Sequence, residues 1–210
     1  MKKLMIIMTL ILPAIYSTAL QAAGGDVGVE AEMGDRYCTT CHGVKGIGNI
    51  AIEAPRIAGM EAWYLKRQLE NFRSGIRGTH GEDTQGIAMQ SMAAKLSDES
   101  IADIVDWVGA WEYVPADTTV EGDVNLGRKE YKSCGACHGA NAEGIKALGA
   151  PALAGQNDWY MITQLKNYSS GFRGTHKEDV YGRQMQPMMQ TLKDDQAIIN
   201  VVSYINTLQK

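Results

Sequence analysis

The chain is poor in aromatic residues and has no excess of basic ones. Aromatic residues make up 7% of its 210 residues, and 24 aspartates and glutamates outnumber 20 lysines and arginines, giving a formal net charge of -4. An acidic chain of this kind is not expected to bind nucleic acid. Its 45% hydrophobic content supports one sizeable core or two small ones. Two cores of roughly 80 residues each would be small unless a large apolar cofactor filled them.

Long hydrophobic runs are absent beyond the first residues, so no later segment could span a bilayer. At the start, two lysines precede an apolar run over residues 4–12, and Pro13 and several alanines follow. This pattern is typical of a cleaved secretory signal over residues 1–23 and predicts a periplasmic protein, with a retained membrane anchor as the alternative. Cleavage removes two lysines and no acidic residue, which changes the formal net charge from -4 to -6.

Cysteine is scarce, and the four cysteines come in two pairs of identical spacing. In each pair a histidine directly follows the second cysteine: Cys38, Cys41 and His42 in one copy, Cys134, Cys137 and His138 in the other. C-x-x-C-H is the attachment signature of c-type haem. Cysteines three apart lie on one side of a helical turn, where both sulfurs can form thioethers to one porphyrin. The histidine then reaches the iron from the proximal side, so the sequence predicts two covalently attached haem c groups.

The cysteines have two other interpretations. Exported chains often pair their cysteines in disulfides, which can be structural or redox-active, and two ligands from each motif could hold a zinc ion. A disulfide does not need a histidine after each pair, and a thioredoxin-like motif would come with an α/β pattern that this sequence lacks. Haem attachment is therefore favoured.

Up to Leu96 and Leu192 the second half of the chain repeats the first at an offset of 96 residues, and the last helices match with one extra residue in the second copy. The matched positions share identity or character: Pro55–Gly59 with Pro151–Gly155, Trp63–Tyr64 with Trp159–Tyr160, Gln68 with Gln164, Arg77–His80 with Arg173–His176, and Met89 and Met92 with Met185 and Met188. Between the copies lies a segment with a proline and two threonines. The sequence predicts a domain over 24–113, a linker over 114–122 and a domain over 123–210.

Each half carries the same predicted elements, and strands are hard to find in either. A short helix enters the C-x-x-C-H motif, and a glycine-rich loop, a middle helix, a methionine-bearing loop and a last helix follow. The middle helices are predicted from Glu61 to Gly75 and from Asn157 to Gly171. The last helices are predicted to start at Ser97 and Asp194, which are typical N-cap residues. The predicted fold class is all-α.

Two successive C-x-x-C-H domains, each with a P-x-[IL]-A-G segment, a Trp-Tyr helix and a downstream methionine, resemble the cytochrome c4 family. Each half separately resembles a class I cytochrome c, in which the P-x-L-x-G segment supplies a backbone carbonyl to the haem-ligating histidine. The resemblance implies that Pro55 orients His42 and that Pro151 orients His138. Such a hydrogen bond fixes the imidazole and strengthens it as an iron ligand. The prolines could also simply shape a turn.

The distal iron ligand has two candidates in each half. The candidates are Met89 or Met92 in the first copy and Met185 or Met188 in the second. In the family the ligand lies eight residues before the residue that opens the last helix. Counted from Ser97 in the first copy and from Lys193 in the second, this spacing selects Met89 and Met185. The remaining methionines would then fill space in the core.

Several other repeated residues leave more than one role open. His80 and His176 could be alternative axial ligands, hydrogen-bond donors to haem propionates or loop residues. Arg77 and Arg173 could pair with propionates or lie in solvent. The repeated tryptophan and tyrosine pairs are expected to pack against a porphyrin face: Trp63, Tyr64, Trp159 and Tyr160.

Iron held by histidine and methionine has no open position, which predicts outer-sphere electron transfer and no enzymatic activity of the chain itself. The resemblance implies a monomeric carrier between a quinol-oxidising complex and a haem-copper terminal oxidase or another reductase. Its acidic surface would dock electrostatically on basic patches of these proteins. One alternative is the dihaem subunit of an enzyme complex, such as a flavocytochrome sulfide dehydrogenase. A further alternative is a dihaem enzyme that itself oxidises a sulfur compound.

Overall fold

The computed structural model describes residues 38–208, and in that range the chain folds as two successive sets of helices. The first set is α1 (Thr39–His42), α2 (Ala62–Arg73), α3 (Thr84–Ala93) and α4 (Asp98–Gly109). The second set is α5 (Val124–His138), α6 (Asp158–Ser169), α7 (Gly182–Met188) and α8 (Asp195–Asn206). Short 3-10 turns lie at Val44–Gly46, Ile50–Ile52, Lys146–Leu148 and Met189–Thr191. The predicted all-α class is confirmed. The predicted signal segment over 1–23 lies outside the described residues.

Extended pairing within residues 38–208 is limited to one isolated bridge in each half. Asn49 pairs with Ala54, and Ile145 pairs with Ala150 at the equivalent place. None of the helices in the described part of the chain is long and apolar enough to cross a membrane.

The methionine-bearing segments are helical, where the sequence predicted loops. The buried Asp83 carboxylate accepts a hydrogen bond of 3.0 Å from the N–H of Gly86 and caps the start of α3. In the second copy the Asp179 carboxylate accepts a hydrogen bond of 2.9 Å from the N–H of Gly182, the first residue of α7, although the N-cap residue of that helix is Tyr181. Because an aspartate cap satisfies N–H groups that a new helix leaves unpaired, it starts a helix even in a glycine-containing stretch. The prediction overlooked these caps.

A last helix forms the centre of the core in each half. Helix α4 buries Ile101, Ile104, Val105 and Val108, which follow the helical period, against Leu65 and Leu69 of α2. Helix α8 buries Val201, Val202 and Ile205 against Tyr131 of α5 and Met161 of α6. Both helices start at the predicted caps, since the side chains of Ser97 and Asp194 accept hydrogen bonds from the N–H groups three residues later.

The segment between the helix sets, residues 112–123, contains no helix and is fastened to α6 by one carboxylate. Asp158 is fully buried. It accepts hydrogen bonds from the N–H of Thr119 at 2.6 Å, the hydroxyl of Thr119 at 2.6 Å and the N–H of Val120 at 2.9 Å. Burial raises the pKa of Asp158, but the hydrogen bonds from Thr119, Trp159 and Val120 outweigh burial and hold this pKa below its ordinary value.

Replacing Asp158 by asparagine should therefore weaken the fold at neutral pH. The amide keeps the shape but presents one oxygen where the carboxylate presents two, so the D158N substitution should lower the free energy of unfolding by about 1–3 kcal/mol. A depressed pKa contributes stability above the unfolded carboxyl pKa and loses it as the pH falls through the folded pKa. The difference in the free energy of unfolding between D158N and the wild type should therefore shrink as the pH falls into the acid range.

Urea unfolding at several pH values measures this effect. Asp117, an exposed aspartate of the same segment, provides the matched control, because D117N should change stability by less than about 0.5 kcal/mol. Equal stability of D158N and wild type at neutral pH would contradict the role of Asp158.

Candidate functional site

Each histidine of the C-x-x-C-H motifs is buried and held by a proline carbonyl. His42 is 6% exposed, and its Nδ1 lies 2.6 Å from the carbonyl oxygen of Pro55. His138 is 8% exposed, and its Nδ1 lies 2.7 Å from the carbonyl oxygen of Pro151. A carbonyl only accepts, so Nδ1–H donates and Nε2 keeps its lone pair for a metal. Burial lowers the pKa of both imidazoles more than the hydrogen bond raises it, which favours the neutral, metal-binding form.

The four cysteines lie beside these histidines with free thiols. The first cysteine of each pair, Cys38 or Cys134, is half-buried, and the second, Cys41 or Cys137, is exposed. Burial raises the pKa of the Cys38 and Cys134 thiols. In the part of the chain that the structure describes, no three His, Cys, Asp or Glu side chains gather as a metal cluster would require. The geometry thus offers two separate pairs of thiols, each next to one imidazole.

A large cavity opens next to the second histidine. It encloses about 1410 Å³ of empty space, including space open to solvent. Both thiols of the second motif and the imidazole of His138 line it, and Met185 and Met188 line it from α7. Its apolar wall includes Leu153, Leu165, Leu192, Val201 and Ile205. Two thiols, a neutral imidazole and thioether sulfur around one apolar space are the donor set that a covalently bound haem needs.

The methionine candidates differ in their surroundings. In the first half Met89 packs against the core of α2 and α4, whereas Met92 is 48% exposed. In the second half Met185 and Met188 both line the cavity. Met189 is 4% exposed within a core cluster, as expected of a packing residue. The first copy therefore favours the inner methionine of each pair.

His80 and His176 are held in tight turns. Nδ1 of His80 accepts a hydrogen bond of 3.2 Å from the N–H of Glu82, and Nδ1 of His176 accepts one of 3.2 Å from the N–H of Glu178. His80 is exposed and stacks on Phe172 of the other half, with ring centroids 4.3 Å apart. Of the three open roles, this geometry matches that of loop residues.

The two repeated arginines join the halves, a role that sequence reasoning missed. Arg77 donates to Gln68 of its own half at 2.6 Å, and to Gln164 at 2.7 Å and Tyr160 at 3.2 Å in the other. Arg173 reciprocates with its own Gln164 at 2.7 Å and with Gln68 and Tyr64, each at 3.1 Å, in the first half. We call these six residues the interface network.

The two arginines of the interface network are buried. Arg77 and Arg173 are 8% and 7% exposed, so the prediction that they lie in solvent is wrong. Burial raises the pKa of the Tyr160 hydroxyl, but the charges of both arginines outweigh burial and lower it. The Nε atoms of both arginines are buried without a hydrogen-bond partner among the described residues, and Arg173 lines the cavity. An acidic edge of a bound haem would suit these donors.

The interface network should contribute to stability as one unit. Replacing Arg77 by methionine removes the arginine donor to Tyr160 and leaves Gln68 and Gln164 with Arg173 alone, so R77M should lower the free energy of unfolding by about 1–3 kcal/mol. Because Arg173 shares the same glutamines, R77M and R173M should be non-additive by about 0.5–3 kcal/mol in a double-mutant cycle. Urea denaturation of the wild type, R77M, R173M and the double variant measures both the cost of R77M and the non-additivity.

The exposed Lys129 controls for the loss of one positive charge, and K129M should stay within about 0.5 kcal/mol of the wild type. Strict additivity of R77M and R173M would show that the two arginines act separately.

Comparison with known proteins places this geometry in context. The family model described as Cytochrome c matches the chain twice, at residues 31–110 and 124–209. A protein named thiosulfate dehydrogenase electron acceptor, from Stutzerimonas stutzeri, is 30% identical over 185 residues, which are 82% of this chain and 80% of that protein.

Solved structures agree with this match. Reduced cytochrome c4 from Pseudomonas stutzeri superposes with a TM-score of 0.64 at 25% identity, over 89% of this chain and all of that one. Thiosulfate dehydrogenase (TsdBA) from Marichromatium purpuratum gives a TM-score of 0.64 at 27% identity, over 81% of this chain. This chain corresponds to 36% of that longer one.

Proposed function

The chain belongs to the cytochrome c family, as a dihaem electron-transfer cytochrome like cytochrome c4, and we propose that it is a periplasmic carrier with no enzymatic activity of its own. One observation supports this most directly. In both halves a buried histidine, tied at Nδ1 to a proline carbonyl, lies beside two free thiols. The same arrangement twice, 96 positions apart, provides two equivalent places for a haem.

We assign the roles as follows. Cys38 and Cys41, and equivalently Cys134 and Cys137, hold the two porphyrins through thioethers. His42 and Met89 would ligate the first iron, and His138 and Met185 the second. Pro55 and Pro151 orient the two histidines. When bound, each haem supplies an iron that gains and loses one electron, and full coordination by these side chains leaves no position for a substrate.

The domain division follows the repeat. We assign 24–113 and 123–210 to the two haem domains, 114–122 to the linker and 1–23 to a cleaved signal. Covalent attachment of haem to thiols in an exported protein accords with the free cysteines. The protein surface then meets its redox partners as a monomer through weak, charge-steered contacts.

A haemochrome assay with axial-ligand variants tests the proposal. Purified protein should hold two covalent haems per chain, and the sulfur-to-iron charge-transfer band should fall by about half in M89A and again in M185A. The band should vanish in the double variant, because each methionine serves one iron.

M92A and M188A are the matched controls and should leave the band intact. Loss of the band in M92A or M188A would overturn the ligand assignment and leave the two haems in place. A colourless protein, or one whose thiols are bridged to one another, would overturn the carrier function itself.

The relatives point to one kind of electron donor. The protein named thiosulfate dehydrogenase electron acceptor aligns over most of both chains. We therefore propose an enzyme that oxidises a sulfur compound as donor, in addition to the quinol-oxidising complex that the resemblance implies. A terminal oxidase or another reductase would take the electrons onward.

Stopped-flow spectroscopy checks this donor. Thiosulfate with a thiosulfate dehydrogenase should reduce the oxidised protein, and the rate should fall several-fold between low and physiological ionic strength, since exposed charges are screened. Thiosulfate without the enzyme is the control and should reduce nothing. If a flavoprotein co-purifies with the chain and the dehydrogenase does not reduce it, the enzyme-subunit alternative is correct.

A further inference from the structure

The cavity of the second half is completed by residues of the first half. Met60, Tyr64, Arg67 and Gln68 all line it, although they lie on or next to α2. Arg67 makes specific contacts there. Its guanidinium donates to the carbonyl oxygen of Gly149 at 2.7 Å and lies over the ring of Tyr181, 4.2 Å from the centroid. One half thus places a cation in the cavity of the other.

Arg67 breaks the symmetry of the repeat. Among the described residues, two arginines and one aspartate line the cavity, and Arg173 and Asp179 have identical counterparts in Arg77 and Asp83. The counterpart of Arg67 is Thr163. The hydroxyl of Thr163 donates to the carbonyl oxygen of Trp159 on its own helix, at 3.0 Å, and carries no charge.

The residues that Arg67 contacts are also unequal between the copies. Gly149 corresponds to Glu53, and Tyr181 corresponds to Gln85. In the first half these counterparts bond to each other, with the Gln85 amide donating to the Glu53 carboxylate at 2.5 Å. In the second half a Cβ on Gly149 would come within 2.1 Å of the Tyr181 ring, so glycine allows the ring to approach and stack under Arg67. Equivalent places therefore carry a negative charge in the first half and a positive charge in the second.

We propose that Arg67 makes the two haem sites electrostatically unequal by raising the reduction potential of the C-terminal haem, with no equivalent cation at the N-terminal haem. This inference rests on the proposed function, because it requires a haem in each half. A nearby cation favours the ferrous state, which carries one positive charge less than the ferric state. Water screens an exposed charge, and Arg67 is half-buried, so part of its charge acts on the cavity without that screening.

Spectroelectrochemical titration of R67T, which installs the residue of the other copy, tests the proposal. The couple of the C-terminal haem, identified as the one that moves in M185A, should shift to lower potential. At a fixed electrode potential its ferrous-to-ferric ratio should fall about three- to tenfold, and tenfold corresponds to 59 mV for one electron. The couple that moves in M89A should stay in place.

Two further variants show whether the positive charge at position 67, and not the change of side chain or of net charge, sets the potential. R67K keeps the positive charge and should retain most of the wild-type potential. Lys66 is the adjacent cation, has a side chain that is 56% exposed and pairs with Glu70 on the same helix at 3.9 Å. K66T removes the same net charge from the protein and should move neither couple, because solvent screens it.

The outcomes distinguish this inference from the function on which it rests. Unchanged couples in R67T, with two haems and an intact sulfur-to-iron band, would overturn the role of Arg67 and leave the carrier function standing. An equal shift in R67K and R67T would overturn the charge argument, and so would an equal shift in K66T. Fewer than two haems per chain would overturn both the function and the inference.

Discussion

The hydrogen bond from each buried imidazole to a proline carbonyl is the constraint around which each half is organised. It joins a histidine to a proline 13 residues later. The loop between them must therefore fold back so that the proline carbonyl reaches the imidazole. The carbonyl of Gly46 accepts from the N–H groups of Ile57 and Ala58, and the carbonyl of Ala142 accepts from the N–H groups of Leu153 and Ala154. Both loops thus close in the same way despite different side chains. The direction of the imidazole is set by backbone atoms, which sequence divergence does not change.

Much of the site could be predicted because its chemistry depends on local spacing. The cysteine pairs, the histidines that follow them and the prolines 13 residues later are all within one loop, so neighbours along the chain remain neighbours in space. The caps at Ser97 and Asp194 are local signals too, and α4 and α8 start where these residues predict. The repeat predicted the all-α architecture of two similar halves without any long-range contact being known.

The contacts between the two halves could not be predicted from the sequence. Arg77 lies 83 residues from Tyr160 and 87 from Gln164 along the chain, and nothing local marks them as partners. Their repetition was visible, but repetition alone fits a packing role as well as an interface role. The helical methionine segments were missed for a different reason. The caps Asp83 and Asp179 each lie near a glycine, and glycine in a helix costs about 1 kcal/mol relative to alanine, so the pattern favours a loop until tertiary contacts are included.

The interface network has the symmetry of a homodimer contact, in which residue i of one subunit meets residue j of its partner and the reverse holds equally. Two separate identical chains could form the same contact, but their association would depend on concentration. A tether replaces that dependence with a fixed effective concentration. In a homodimer both subunits have the same sequence, so any substitution appears at both sites at once. Within a single chain the two halves can differ. In a single chain Arg67 and Thr163 can differ, so two pockets of common architecture are free to specialise.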